Sequence, residues 1–119
     1  MADPLQPAFG RLVAAAKDLP EVTQGISLRT PCLFVRKKFM SRVKDVDTVV
    51  LMCPLEEKEM LMAAAPGIFF ETAHYKGWPA VLVRINDIDD AELRHRMRRA
   101  WLMQAPKSLA KRFLAADNG

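Results

Sequence analysis

The sequence predicts an α+β domain of two layers, in which one mainly antiparallel sheet carries helices packed on one face. Three observations lead there. The apolar period switches along the chain, giving the order helix, several strands, helix, strands, two helices. Connections between the strand-like segments are of hairpin length, which suits antiparallel pairing. Finally, 119 residues, half of them apolar and 27% charged, support one core and a single domain spanning 1–119.

The first helix is expected from Pro4 onward. Leu5, Phe9, Leu12, Val13 and Ala16 recur at helical spacing, Asp3-Pro4 supplies a cap and an early proline, and Pro20 ends the pattern. Thr23-Gln24-Gly25 reads as punctuation, after which Ile26, Leu28, Thr30, Leu33, Val35 and Phe39 are strand-like. The basic triplet Arg36-Lys37-Lys38 interrupts this apolar run and is best placed at a hairpin tip. Val46 to Cys53 is nearly continuous in apolar and β-branched residues, as a central strand should be.

Pro54 fits the first turn of a second helix, with Glu56 and Glu57 suited to its dipole and Leu55, Met60 and Leu61 facing the core. Glu56, Glu57, Lys58 and Glu59 read as a solvated first turn. Ala65-Pro66-Gly67 closes that helix, and Ile68-Phe69-Phe70 starts an extended segment. Between Pro79 and Asn86 the chain alternates, with Val81, Val83 and Ile85 on one face and Leu82, Arg84 and Asn86 on the other. A third helix starts at Asp89 or Asp90, where Asp89 and Glu92 have capping-box spacing, and its inner stripe is Leu93, Met97, Ala100 and Trp101. Ala105-Pro106 breaks it. A fourth helix follows from Lys107 with Leu109 and Phe113 inward and Lys111 and Arg112 outward, fraying over Ala116 to Gly119.

Charge is unevenly distributed. The formal net charge is +4, yet Arg29 to Lys44 holds Arg29, Arg36, Lys37, Lys38, Arg42 and Lys44 with no acid, and Leu93 to Ala115 is likewise free of acids. A basic side is therefore expected, which can attract phosphate, although helix C-terminal cations and solvation alone would also produce it. Cys32 and Cys53 form no C-x-x-C pair and sit in apolar runs, so buried free thiols of a reducing compartment are expected, with no metal site and no cofactor. The start Met1-Ala2-Asp3-Pro4 lacks a cationic, apolar leader, and Met60 to Phe70 is too short and too interrupted to span a membrane. A cytoplasmic protein without membrane partners is the expectation.

No phosphate-loop, dinucleotide, nucleophile-elbow or zinc-protease signature is present, so a non-enzymatic role is expected. His95 lies among arginines on an exposed helix face. His74-Tyr75-Lys76-Gly77-Trp78-Pro79 concentrates aromatic and cationic groups before a strand. His74, Tyr75 and Trp78 form a possible ligand or stacking cluster there, provided that a pocket brings them together; otherwise the segment is a turn covering the sheet.

Leu19-Pro20-Glu21-Val22, Gly25, Pro31, Phe34-Val35, Lys38-Phe39, Val49-Val50-Leu51, Pro54-Leu55-Glu56-Glu57, His74 to Pro79, Val81-Leu82-Val83, Ala100-Trp101 and Ala105-Pro106-Lys107 occur in that order. This succession resembles the MmcQ/YjbR family of small bacterial proteins. The resemblance implies a two-layer fold similar to type III secretion chaperones. It also implies the family's DNA-binding label, which rests partly on likeness to a phage transcription-factor domain that binds DNA through its sheet. Three departures from the family pattern stand out: Thr23-Gln24 replaces a common acidic pair, Thr30 a frequent glycine, and Lys37 a usual turn residue.

Two functional expectations follow. The first is a DNA-binding protein contacting phosphate through Arg36, Lys37, Lys38 and Arg42, supplemented by Lys107, Lys111 and Arg112, with the two basic stretches partly converging. The second is a protein-interaction or chaperone-like module, whose mark would be exposed apolar residues such as Met40 or Leu82.

Overall fold

The computed structural model describes residues 3–118. It contains α1 (Gln6–Ala15), β1 (Val22–Ser27), β2 (Thr30–Val35), β3 (Lys38–Asp45), β4 (Thr48–Met52), α2 (Leu55–Ala64), β5 (Phe69–Phe70), a short 3-10 turn (Ala73–Tyr75), β6 (Ala80–Arg84), α3 (Asp90–Gln104) and α4 (Lys107–Asn118). All six strands join one sheet in the order β1-β2-β3-β4-β6-β5, and every neighbouring pair is antiparallel. The predicted α+β class is the observed one. Met1, Ala2 and Gly119, which enter the readings of the leader and the frayed end, lie outside the described residues; Ala116 continues α4. Among the described residues no helix is long and apolar enough to cross a membrane.

The main core lies between the sheet and the helices. Leu33, Val35, Met40, Val43, Val49, Leu51, Val81 and Val83 meet Phe9 and Leu12 of α1, Leu93, Met97 and Trp101 of α3, and Leu109 of α4. Asp89 caps α3 as the spacing predicts, its Oδ1 accepting from Glu92 N at 2.7 Å. Arg11 ties α1 to the start of α3 by donating to the carbonyls of Ile85 and Ile88 and pairing with Asp90 at 2.7 Å. Cys32 and Cys53 are free and buried. Burial pushes the thiol of Cys53 up to about 11, with the Glu57 carboxylate adding to the effect.

β1 starts earlier than expected, and the supposed punctuation at Thr23-Gln24-Gly25 is the middle of a strand. Gly25 serves a close approach: a Cβ there would lie 2.7 Å from Cε2 of Phe34 on β2. The true turn is Leu28-Arg29, closed by the Ser27 and Thr30 pair, with φ of 51° and 68°. Two-residue turns of this form favour Asn-Gly, so a Leu-Arg tip left no compositional signal. The next tip falls where the basic triplet places it, between Val35 and Lys38. Its left-handed residue is Arg36, with φ 53°, and not Lys37.

β3 contains a bulge. Phe34 faces Phe39 whereas Leu33 faces Ser41, so β3 carries one extra residue. Met40 and Ser41 consequently both turn toward the helices, Ser41 Oγ lying 3.8 Å from Met97 Sδ. A bulge shifts the alternation by one, and Arg42 is delivered to the opposite face. Met40 and Leu82, whose exposure would have marked a protein-docking surface, are both fully buried.

α2 corrects two further expectations. Leu55 and Met60 are exposed rather than core-facing, while Leu61 does pack on the core. The charged residues turn inward instead. Glu57 bonds Arg96 Nη1 and Arg99 Nη2, each at 2.9 Å, and Lys58 is fully buried. Arg96 Nε lies 3.4 Å from Glu92 Oε1 without hydrogen-bond geometry.

The Arg99 hydrogen bonds, reinforced by the charges of Arg99 and Arg96, hold the Glu57 carboxyl below its ordinary value of 4.5. A depressed folded-state value means the ion pairs stabilise fully above the ordinary carboxylate range and lose that contribution as pH falls through the folded value. Glu57→Gln is therefore expected to cost about 1–2 kcal/mol at neutral pH. It should also flatten the decline of stability below about pH 5. Urea unfolding across a pH series checks this, and an unchanged acid slope would refute it.

Candidate functional site

The predicted site residues separate into two places, and Arg42 changes sides between them. At one end of the sheet, the β2–β3 tip exposes Arg36, Lys37 and Lys38. Arg36 is already engaged: its Nε and Nη2 donate to the Glu21 carboxylate at 2.8 and 3.2 Å. That bidentate bond lowers the Glu21 carboxyl below its usual range, and Arg112 of α4 adds to the shift through its charge. Lys37 and Lys38 have no such partner among the described residues.

The C-terminal end of α3, from which α4 continues, is anchored beside this tip. Gln104 Nε2 donates to the carbonyl of Phe39 at 2.7 Å, next to Lys38, and Trp101 Nε1 donates to the carbonyl of Pro20 at 3.0 Å, next to Glu21. Phe113 packs on Trp101 with ring centroids 4.8 Å apart. In α4, Leu109 and Phe113 face inward, as expected, while Lys107, Lys111 and Arg112 are exposed. The two basic stretches thus share one end of the molecule, with Glu21 interposed on the Arg36 side.

Arg42 is not part of that surface. It is 8% exposed and lies on the sheet face away from the main core. Nη1 donates to Thr30 Oγ1 at 3.3 Å and to the Val43 carbonyl at 3.4 Å, and Nη2 donates to Tyr75 Oη at 2.8 Å. The bulge in β3 is the reason. Local alternation counted from Lys38 places Arg42 with Met40, whereas the extra residue reverses it.

The open sheet face has a small core of its own, in which Tyr75 packs on Val50, Ala80 and Leu82 together with Met52 and Phe70. Tyr75 arrives there because the segment from Glu71 to Pro79 folds over the sheet. Lys58 holds it: buried in the first turn of α2, its ammonium donates to the carbonyls of Tyr75 at 2.8 Å and Trp78 at 3.0 Å and pairs with Glu71 at 3.0 Å. Gly77, with φ of 80°, permits the turn that follows. His74 stands edge-on to Tyr75, centroids 4.8 Å apart, and Trp78 is 62% exposed.

These side chains enclose a pocket of about 180 Å³, lined by Ser27, Leu28, Phe39, Arg42, His74, Tyr75 and Trp78. His74, Tyr75 and Trp78 thus line one pocket, and Arg42 forms its cationic floor. Sequence reasoning missed Leu28, Phe39 and Lys58. Lys58 had no distinguishing signal, because a lysine among Glu56, Glu57 and Glu59 looks like solvated charge.

Comparison with known proteins agrees with this architecture. The YjbR family profile matches residues 17–103. Uncharacterized proteins of Mycobacterium bovis and Mycobacterium tuberculosis are 50% identical over 58 residues, covering 49% of this chain and 45% of theirs. The matched segment thus spans about half the length of these curated relatives. The crystal structure of Deinococcus radiodurans protein DR2400, with a DUF419 domain, superposes with a TM-score of 0.71 at 17% identity, covering 91% of this chain and 85% of that one. At that identity the likeness speaks for the fold alone. The profile match takes in the β1–β3 hairpins, Lys58, the Tyr75 segment and α3 as far as Met103, and on that extent the chain belongs to the YjbR family.

Proposed function

We propose that this protein binds nucleic acid without catalysing a reaction, contacting the phosphate backbone through Lys37 and Lys38 of the β2–β3 tip and Lys107, Lys111 and Arg112 of α4. The observation that carries this reading is the common location of the two acid-poor stretches, fastened by the Gln104 bond to Phe39 and the Trp101 bond to Pro20. Adjacent cations of one sign add their fields, which favours a polyanion over scattered small ions. Arg36 contributes less than its exposure suggests, since Glu21 neutralises it. The lysines act as point charges on phosphate and carry little sequence information.

Anisotropy of a labelled duplex, titrated at several salt concentrations, tests the reading. Each neutralised phosphate should add roughly 0.9 to the logarithmic salt slope. Reversing Lys37 and Lys38 to Glu should weaken binding at least about tenfold at low salt and reduce the slope by about two, with a similar loss for Lys107 and Lys111. Parent-like binding by both double variants, or no binding by the parent at low salt, overturns the proposal. In that event a protein partner becomes the better reading, at the β1 edge where Ile26 and Leu28 are exposed.

A further inference from the structure

The geometry points to the open-face pocket as a nucleotide site, in which Arg42 receives the phosphate and the base stacks on Trp78. The shared ligand chemistry is a planar aromatic ring bearing phosphate, whether a free nucleoside monophosphate or one residue of a single strand. This inference does not depend on the basic end, which lies at the β2–β3 tip.

Arg42 carries the first part of the argument. Two cationic side chains of the described residues are buried, and they are provided for differently. Lys58 has the Glu71 carboxylate at 3.0 Å. Arg42 pairs with no carboxylate among the described residues; its bonds go to a hydroxyl, a carbonyl and a phenol. A guanidinium withdrawn from water without a counter-ion is costly. Those three bonds also leave two of its five N–H donors unused, in a planar fork that matches the oxygens of phosphate. An anion in the pocket would compensate the charge and satisfy the fork.

The walls supply the second part. Trp78 is 62% and Leu28 69% exposed, while Phe39 and Tyr75 present further aromatic surface and His74 adds a polar edge. Rings exposed beside a cation form a stacking platform indifferent to which base lies on it. Leu28 is held at the pocket by left-handed backbone, φ 51°, a conformation unfavourable for a residue with a Cβ. The volume of about 180 Å³ falls below the ~300–1,000 Å³ of pockets that engulf drug-sized ligands. It therefore suits one base with its phosphate, partly open to solvent. A purely apolar peptide would leave the Arg42 charge uncompensated.

The two tryptophans make the test direct, because Trp101 is fully buried and Trp78 is not. Adenosine monophosphate, cytidine monophosphate, adenosine, inorganic phosphate and a short oligothymidylate are titrated separately, reading tryptophan fluorescence and isothermal calorimetry. The monophosphates should quench saturably and bind at least about tenfold more tightly than adenosine or phosphate alone. Trp78→Ala, an exposed substitution that leaves the core intact, should weaken the calorimetric affinity about tenfold. Arg42→Gln should bring the monophosphate down to the level of adenosine, and Tyr75→Phe, which retains the ring and removes the Arg42 partner, supplies a milder variant if Arg42→Gln does not fold. A further gain with oligothymidylate assigns a strand as the source, and its absence assigns a free nucleotide. Charge reversal at Lys37 and Lys38 should leave mononucleotide binding unchanged, which separates this inference from the phosphate-backbone reading. Failure of every nucleotide to saturate, or equal binding by parent and Trp78→Ala, overturns it.

Discussion

Trp101→Ala is expected to destabilise the protein by about 4 kcal/mol, the upper range for an aromatic removed from a core. Trp101 has no exposed surface, packs on Phe113 and donates from Nε1 to the Pro20 carbonyl at 3.0 Å. Its loss leaves a cavity and an unsatisfied carbonyl together. Because domains of this size are stable by roughly 5–15 kcal/mol, the variant should melt on the order of 15 °C or more below the parent. The damage should concentrate at the basic end, since Trp101 ties α4 to the Pro20-Glu21 segment beside Arg36. Trp101→Phe keeps most of the ring and forfeits the hydrogen bond, so about 1–2 kcal/mol is expected for it. Thermal and urea unfolding of both variants checks the ratio; equal losses would mean that the Pro20 bond, not the packing, dominates.

Lys58→Met should cost about 3 kcal/mol for a different reason. Methionine fills nearly the same volume, so little packing is lost. What remains is a carboxylate at Glu71 without its ammonium and two carbonyls, Tyr75 and Trp78, without their donor. Glu71 retains access to water, its side chain being 27% exposed, which keeps the cost below that of a fully buried orphan. Beyond global stability, hydrogen exchange should accelerate in the Glu71–Trp78 segment relative to β4 and β6, and the Arg42 pocket should lose its aromatic wall. Parent-like exchange there would show that the Tyr75–Val50 packing alone holds the segment in place.

Both side chains belong to the same domain, yet only one was legible from the chain. Trp101 occupies the last inner position of a stripe with Leu93, Met97 and Ala100, and all four are buried as the helical spacing predicts. Lys58 defeats pattern reading because its partners lie 13 to 20 residues further on. The same contrast runs through α2. Pro54 and the acidic first turn placed the helix correctly, but which face turned inward depended on Arg96 and Arg99 of α3 meeting Glu57.

By itself the sequence determined the elements whose cause is local: the alternation of β6, the Asp89 cap and stripe of α3, the break at Pro106, the basic β2–β3 tip, and hence an antiparallel sheet layered with helices. Backbone periodicity and turn chemistry act over a few neighbours, so a few neighbours suffice to read them. The candidate site required tertiary structure. One bulged residue in β3 reversed the face of Arg42, a Leu-Arg turn bent the chain without glycine, and the burial of Lys58 drew Tyr75 and Trp78 over the sheet. Each depends on which distant group is available to pair with a buried charge or fill a gap, and that free energy exists only once the strands and helices have met.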